Sequence, residues 1–215
     1  MSEVSYPLFI LSSMILGLGT FRIIFSLFRF KFTRYFPEIL SFLFVNYSLF
    51  YYTLYYPELA KGFNAIYVLI VCAFLMFVVK IPFFWSIFLG ILGSAGAVMG
   101  QLFVTTVSKL FYHVAPIYLW TDPTRYYLYC ILTGLINYLF AWLFYRRGFG
   151  FTFELDRPLR KIEKIGVGAF ILIMFLIVRT VILDESKPSH IALHAIVFEL
   201  VFLLSFAIWK EKTNH

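Results

Sequence analysis

Residues 83–107 read FFWSIFLGILGSAGAVMGQLFVTTV, a stretch of 25 residues without a charged side chain. A helix needs about 20 predominantly apolar residues to cross the hydrocarbon core of a bilayer, and buried helices of soluble proteins are usually shorter than that. The stretch therefore predicts a membrane-spanning helix, and this prediction sets the class of fold expected for the rest of the chain.

The composition of the whole chain also indicates a lipid environment. Of its 215 residues, 62% are hydrophobic, 22% are aromatic and 13% are charged, whereas about 25% of residues are charged in soluble domains. A soluble domain of this length has too little interior to bury so much apolar surface, and a disordered chain would need low hydrophobicity. Cys72 and Cys130, the two cysteines, both lie in apolar stretches, which excludes a disulfide framework and a Cys-rich metal site.

Charged residues and prolines divide the chain into seven apolar segments, which predict an all-α polytopic transmembrane bundle forming a single domain over residues 1–215. The predicted spans are 6–27, 39–56, 63–79, 83–107, 126–145, 165–183 and 191–209. Aromatic residues gather at several span ends, among them Phe50, Tyr51, Tyr52 and Tyr126. They predict an interfacial belt, with an aromatic-lined ligand pocket on the outer face as the alternative.

The positions of Lys and Arg predict the orientation, because inner loops of membrane proteins are enriched in both. With the N-terminus outside, the inner side carries twelve of these residues and the outer side four. We therefore expect an N-out, C-in protein of the cell membrane. The inner loop over 146–164 is basic and can rest on anionic lipid head groups. The net charge of +7 then needs no nucleic-acid partner.

Small residues recur at intervals of four along the fourth predicted span. Four residues are about one helical turn, so these residues form a smooth stripe that a neighbouring helix can approach closely. The stripe comprises Gly90, Gly93, Ser94, Gly96, Ala97 and Gly100. It predicts either packing within the bundle or the seam of a homodimer.

Ionisable residues in the last two predicted spans form the candidate ligand-binding or coupling site. Arg179 and His194 are expected at similar depth, with His190 one turn from His194 and Glu199 about 7 Å deeper. Charges within a membrane are costly and indicate function by default. The alternatives are a polar pocket that opens outward and a structural ion pair that locks the two spans. A metal site would need a third ligand, so we expect none.

Other polar residues within the predicted spans are expected to have structural roles. Arg22 lies close enough to the inner end of the first span for its charged head to reach the interface. Asn46, Gln101 and Asn137 predict hydrogen bonds between helices. No catalytic motif or phosphate-binding glycine loop is present, so we expect neither an enzyme nor a cofactor.

The layout of spans resembles the membrane-embedded sensor region of AgrC-type peptide-sensing histidine kinases of Gram-positive bacteria. Local features also look similar, namely residues 79–87, VKIPFFWSI, between two spans and residues 157–161, RPLRK, before the sixth. The chain is similar as well to stand-alone multi-span proteins of Firmicutes. In the family, the last span leads into a phosphorylatable helix and an ATP-binding domain, whereas this sequence ends at 209–215, WKEKTNH.

The resemblance implies a receptor-like sensor that passes an extracellular peptide or small-molecule signal to a separate cytoplasmic or membrane partner. The alternatives are a substrate-binding or accessory subunit of a small-molecule transporter and a structural membrane protein without a small ligand. A copurified small molecule would favour the transporter subunit. A neighbouring gene for a kinase or a response regulator would favour the sensor.

Overall fold

The computed structural model describes residues 5–53, 57–112 and 122–148, and within these ranges the regular elements are all helical. The α-helices are α1 (Tyr6–Leu27), α2 (Phe36–Thr53), α3 (Pro57–Phe77), α4 (Phe83–Tyr112) and α5 (Pro123–Arg146), and a short 3₁₀ helix, Phe32–Tyr35, precedes α2. Three helical segments are long and apolar enough to cross a membrane, Tyr6–Leu27, Phe83–Ser108 and Pro123–Arg146. For the described residues, the expected all-helical fold with helices suited to a membrane is confirmed.

The first five predicted spans each fall on one of these helices. Helix α1 coincides with segment 6–27, whereas α2 and α3 begin before the predicted 39 and 63. The difference has a physical reason, because proline is favoured in the first turn of a helix and that turn can lie outside the hydrocarbon. The predicted spans 165–183 and 191–209 lie outside the described residues.

Local chemistry explains where several helices begin and end. The side chain of Asp122 caps α5, since its carboxylate accepts hydrogen bonds from the backbone N–H groups of Thr124 (3.0 Å) and Arg125 (3.4 Å). Beyond the ends of α1 and α3, Arg29 and Lys80 adopt left-handed conformations with φ of 54° and 64°. Such residues end a helix and redirect the chain.

Helix α1 is the central element of the described bundle, since it contacts α2, α4 and α5 and packs most extensively against α5. Helices α1 and α5 run parallel, because Phe9 stacks on Tyr126 near their first turns and Gly19 faces Gly134 further along. The aromatic residues of α1 supply much of the core.

Glycines allow α1 and α5 to approach each other closely. A Cβ atom on Gly19 would lie 2.5 Å from the carbonyl oxygen of Gly134, and one on Gly134 would overlap the backbone of Ile15. The two backbones are therefore in direct contact, as small residues permit in membrane helices. This pairing was not anticipated by the sequence analysis, which singled out only the stripe on the fourth span.

Helices α4 and α5 run antiparallel. The Asn137 amide donates a hydrogen bond to the carbonyl of Ala97 at 3.4 Å, and the Tyr129 hydroxyl donates to the carbonyl of Gln101 at 3.5 Å. Residue numbers therefore rise along one helix as they fall along the other.

One end of the bundle carries a concentration of positive charge. The rings of Phe28 and Phe88 lie 6.3 Å apart and those of Phe32 and Tyr138 lie 6.4 Å apart, so α1 and α5 end where α4 begins. We call this the basic end, after its residues Arg29, Lys31, Arg34, Lys80, Arg146 and Arg147.

The opposite end is closed by aromatic rings. Phe9 is buried, stacks on Tyr126 at 5.5 Å and contacts Phe50 and Tyr51 at 5.8 Å and 5.5 Å. These rings join α1, α2 and α5 within the bundle instead of forming only the belt expected from the sequence. Tyr52, which is 63% exposed, retains the placement expected of a belt residue.

Candidate functional site between helices α1, α4 and α5

The predicted ionisable site, Arg179, His190, His194 and Glu199, lies outside the described residues. The small-residue stripe on α4 lies within them. Among the described residues, no cluster of three His, Cys, Asp or Glu side chains could hold a metal ion.

The glycines of the stripe face three neighbouring helices of the same chain. A Cβ atom on Gly90 would lie 2.5 Å from the Sγ atom of Cys72 on α3, and one on Gly93 would overlap the side chain of Ile24 on α1. On Gly100 it would overlap the amide of a residue on α5, Asn137. Each of these glycines therefore allows one residue of a neighbouring helix to pack directly against α4.

The remaining stripe residues differ in their surroundings. The Ser94 hydroxyl donates to the carbonyl of Gly90 at 2.7 Å, so it is used within its own helix. Ala97 is buried. A Cβ atom on Gly96 would meet one neighbour, the Cγ2 atom of Ile23 at 3.0 Å. A seam between two copies of the chain stays a prediction.

Gly96 and Gly100 also line a cavity of about 370 Å³ between α1, α4 and α5. Helix α1 contributes Ile23, Ser26 and Leu27, α4 contributes Leu92, Gly96, Met99, Gly100 and Phe103, and α5 contributes Asn137, Phe140, Ala141 and Phe144. The cavity exists because small side chains on α4 leave space that larger ones would fill.

The wall of the cavity is almost entirely apolar. Each of its polar side chains makes a hydrogen bond within the bundle, since the Asn137 amide donates to Ala97 and the Ser26 hydroxyl donates to the carbonyl of Ile23 at 2.9 Å. Within the described ranges, no charged side chain lines it. A cavity of this size and character fits an apolar group, such as an acyl chain or the hydrophobic side chain of a peptide.

Exposed hydrophobic side chains form the rim. Met99, Phe103, Phe140 and Phe144 are between 40% and 51% exposed, and the rings of Phe103 and Phe140 meet edge to face at 6.3 Å. Among the described residues, these side chains leave the cavity open at the surface of the bundle.

Two of the mid-span amides have contrasting environments. Asn137 makes the interhelical hydrogen bond that the sequence predicts. Asn46 is buried to 3% exposure, yet within the described part of the chain neither its amide nitrogen nor its amide oxygen has a hydrogen-bond partner. The cavity itself could not be predicted, because the spacing of glycines along α4 does not reveal which helices they meet.

Comparison with known proteins adds no relative. The chain matches no protein-family model, no curated protein and no solved structure.

Proposed function

We propose that this chain is a receptor-like protein of the cell membrane that passes an extracellular peptide or small-molecule signal to a separate partner. It would have seven spans, with its N-terminus outside and its C-terminus inside. The proposal follows the resemblance to AgrC-type sensor regions, and the charge distribution and the cavity support it.

The charge distribution supports the proposed orientation. Residues of the basic end, including Arg29, Lys31 and Arg34, follow α1, and Arg146 and Arg147 end and follow α5. Under the positive-inside rule this end faces the cytoplasm. The aromatic end, where α1 begins, then faces outward.

The cavity between α1, α4 and α5 is the observation that carries the proposed signalling role. A ligand shifts a conformational equilibrium only when it binds one state better than the other. An apolar ligand in this cavity would contact three helices together and favour their present packing over one in which the cavity collapses. Because α1 and α5 lead directly into the basic end, a change in their packing would reach the cytoplasmic side.

The ionisable residues of the last two predicted spans have a separate part in the proposal. Arg179, His190, His194 and Glu199 would recognise the extracellular ligand from the outer side, whereas the cavity lies near the basic end, since the last turns of α1 and α5 line it. If Glu199→Gln and Arg179→Ala both fold and respond like wild type, this part of the proposal is wrong, whatever occupies the cavity.

The alternative function is a substrate-binding or accessory subunit of a small-molecule transporter. The cavity within the bundle favours it, since such a subunit must hold a solute among its helices. The two functions predict different partners, an ATPase or channel component for the transporter and a kinase or response regulator for the sensor.

A cavity-filling variant tests whether the cavity holds a ligand. Gly96→Leu is suitable because one neighbour, Ile23, lies near the new Cβ atom, so that a longer side chain extends into the cavity. We expect mass spectrometry to detect an apolar compound that copurifies with wild type and is at least tenfold depleted in Gly96→Leu, since a filled site excludes it. A copurified compound by itself favours the transporter subunit, and the sensor also requires its kinase or response-regulator partner.

The matched control is Thr106→Leu, an exposed position on the same helix outside the cavity. It should retain the compound. Equal retention by Gly96→Leu, or no retained compound in wild type, would show that the cavity is not a ligand site.

A further inference from the structure

Arg22 occupies an aromatic cage at the junction of α1, α5 and the 3₁₀ helix. Its guanidinium carbon lies 5.1 Å from the ring centre of Phe32, 5.4 Å from that of Tyr138 and 5.6 Å from that of Tyr145. These distances are in the range of cation–π attraction. Three rings on two different elements therefore hold one guanidinium group in place.

Among the described residues, no counter-charge lies in the cage. The Nε atom of Arg22 is inaccessible and has no hydrogen-bond partner, and no ion pair joins Arg22 to any described residue. Asp122, a described acidic residue, pairs with Arg125 (3.0 Å) at the other end of α5. A cation at the edge of a bilayer that lacks an anionic partner is costly, and cation–π contacts offset part of that cost.

The surroundings of the cage are also positive. Lys31 and Arg34 flank the 3₁₀ helix residue Phe32, and Arg146 follows Tyr145. The guanidinium groups of Arg34 and Arg146 lie over the rings of Tyr35 and Trp142, at 5.6 Å and 5.2 Å, and not beside carboxylates. Several cations thus surround the cage, and Glu38, an acidic residue in the first turn of α2, forms no ion pair with them within the described ranges.

We infer that the Arg22 cage is a binding site for the phosphate of an anionic phospholipid. Arg22 lies five residues before the end of α1, about 7–8 Å along the helix axis, a depth from which its terminal nitrogens can reach the head-group region. A planar guanidinium binds phosphate through paired hydrogen bonds. Basic pockets between helices on the cytoplasmic side recognise lipid head groups in this way.

A lipid is the source that fits this position, in preference to a soluble anion. The cage lies on an apolar helix that is long enough to span a membrane, and one of its rings, Tyr138, is 42% exposed on the outer surface of α5. A phospholipid beside α5 would place its chains along that surface and its phosphate at Arg22.

The experiment compares lipid binding by wild type, Arg22→Gln and Arg125→Gln. Each purified protein is placed in nanodiscs of phosphatidylcholine with or without phosphatidylglycerol, and both retained lipids and melting temperature are measured. We expect phosphatidylglycerol to raise the melting temperature of wild type and Arg125→Gln. Arg22→Gln should lose this rise and bind phosphatidylglycerol about tenfold more weakly, because it lacks the charge-assisted hydrogen bonds.

Three results would overturn the inference. In the first, phosphatidylglycerol raises the melting temperature of Arg22→Gln as much as that of wild type. In the second, Arg125→Gln loses as much of this rise in melting temperature as Arg22→Gln does. In the third, inorganic phosphate raises the melting temperature of wild type equally in phosphatidylcholine nanodiscs. If Arg22→Gln does not fold, native mass spectrometry of wild type decides, and equal retention of the two phospholipids contradicts the site.

Discussion

Whether a buried amide forms a hydrogen bond depends on the residues that surround it. Both Asn46 and Asn137 are polar residues within predicted spans, and the sequence analysis gave them the same role. Asn137 fulfils it because Gly100 allows α4 to approach until the Ala97 carbonyl is within reach. Asn46 is buried as well, but its amide has no hydrogen-bond partner among the described residues. The sequence identifies the polar residue, but the hydrogen bond depends on the distance between two backbones.

The two asparagines therefore predict opposite effects of the same substitution. Asn137→Leu removes an interhelical hydrogen bond and should destabilise the protein by about 1 kcal/mol. Asn46→Leu replaces a buried amide without partners by an apolar group of similar size, so stability should be unchanged or higher. Thermal unfolding in detergent, followed by tryptophan fluorescence, measures both. A larger loss for Asn46→Leu than for Asn137→Leu would contradict this assignment.

At the scale of helices, their existence and approximate bounds follow from the sequence, whereas their pairing does not. Hydropathy places α1, α4 and α5 because a run of apolar residues in lipid must satisfy its backbone hydrogen bonds internally. The contact between Gly19 and Gly134 joins two glycines on helices far apart in the chain. No regular spacing within either helix indicates that they meet.

The close contact between α1 and α5 predicts that a substitution at Gly134 destabilises the protein. Gly134→Ala would place a methyl group against the backbone of Ile15, which cannot move without shifting α1. We expect the free energy of unfolding to fall by about 1–3 kcal/mol, as measured by thermal unfolding in the same detergent.

Gly96→Ala is the matched control on another helix. Its added methyl group meets one side-chain atom of Ile23 at 3.0 Å, which can move by a few tenths of an ångström, so the loss should be smaller. If both variants are equally stable, α1 and α5 do not pack as described.

For the whole molecule, the distribution of charge gives the most direct prediction. With the basic end inside, a reporter fused after Lys80 or after Arg147 should be active on the cytoplasmic side. A reporter inserted within 113–121, between α4 and α5, should be active outside. Green fluorescent protein reports the first location and alkaline phosphatase the second. The reverse pattern would invert the proposed topology and place the Arg22 cage in the outer leaflet.

The sequence predicts the environment of this molecule better than its function. Lipid exposure follows from composition, and orientation can be proposed from Lys and Arg in short loops. The cavity and the Arg22 cage each depend on three elements that meet in space. Phe32, Tyr138 and Tyr145 gave no signal in the sequence, because aromatic residues are abundant throughout this chain.

The extensive contact between the first and fifth helices also bears on how the protein is made. Gly19 and Gly134 are 115 residues apart in the chain. At translation rates of about 5–20 residues per second, Gly134 is therefore synthesised roughly 6–23 seconds after Gly19. During that interval Ser13 lacks the hydroxyl of Tyr126, and Arg22 lacks the rings of Tyr138 and Tyr145. In a membrane, the central helix would therefore expose these two polar side chains to lipid until the fifth helix is made.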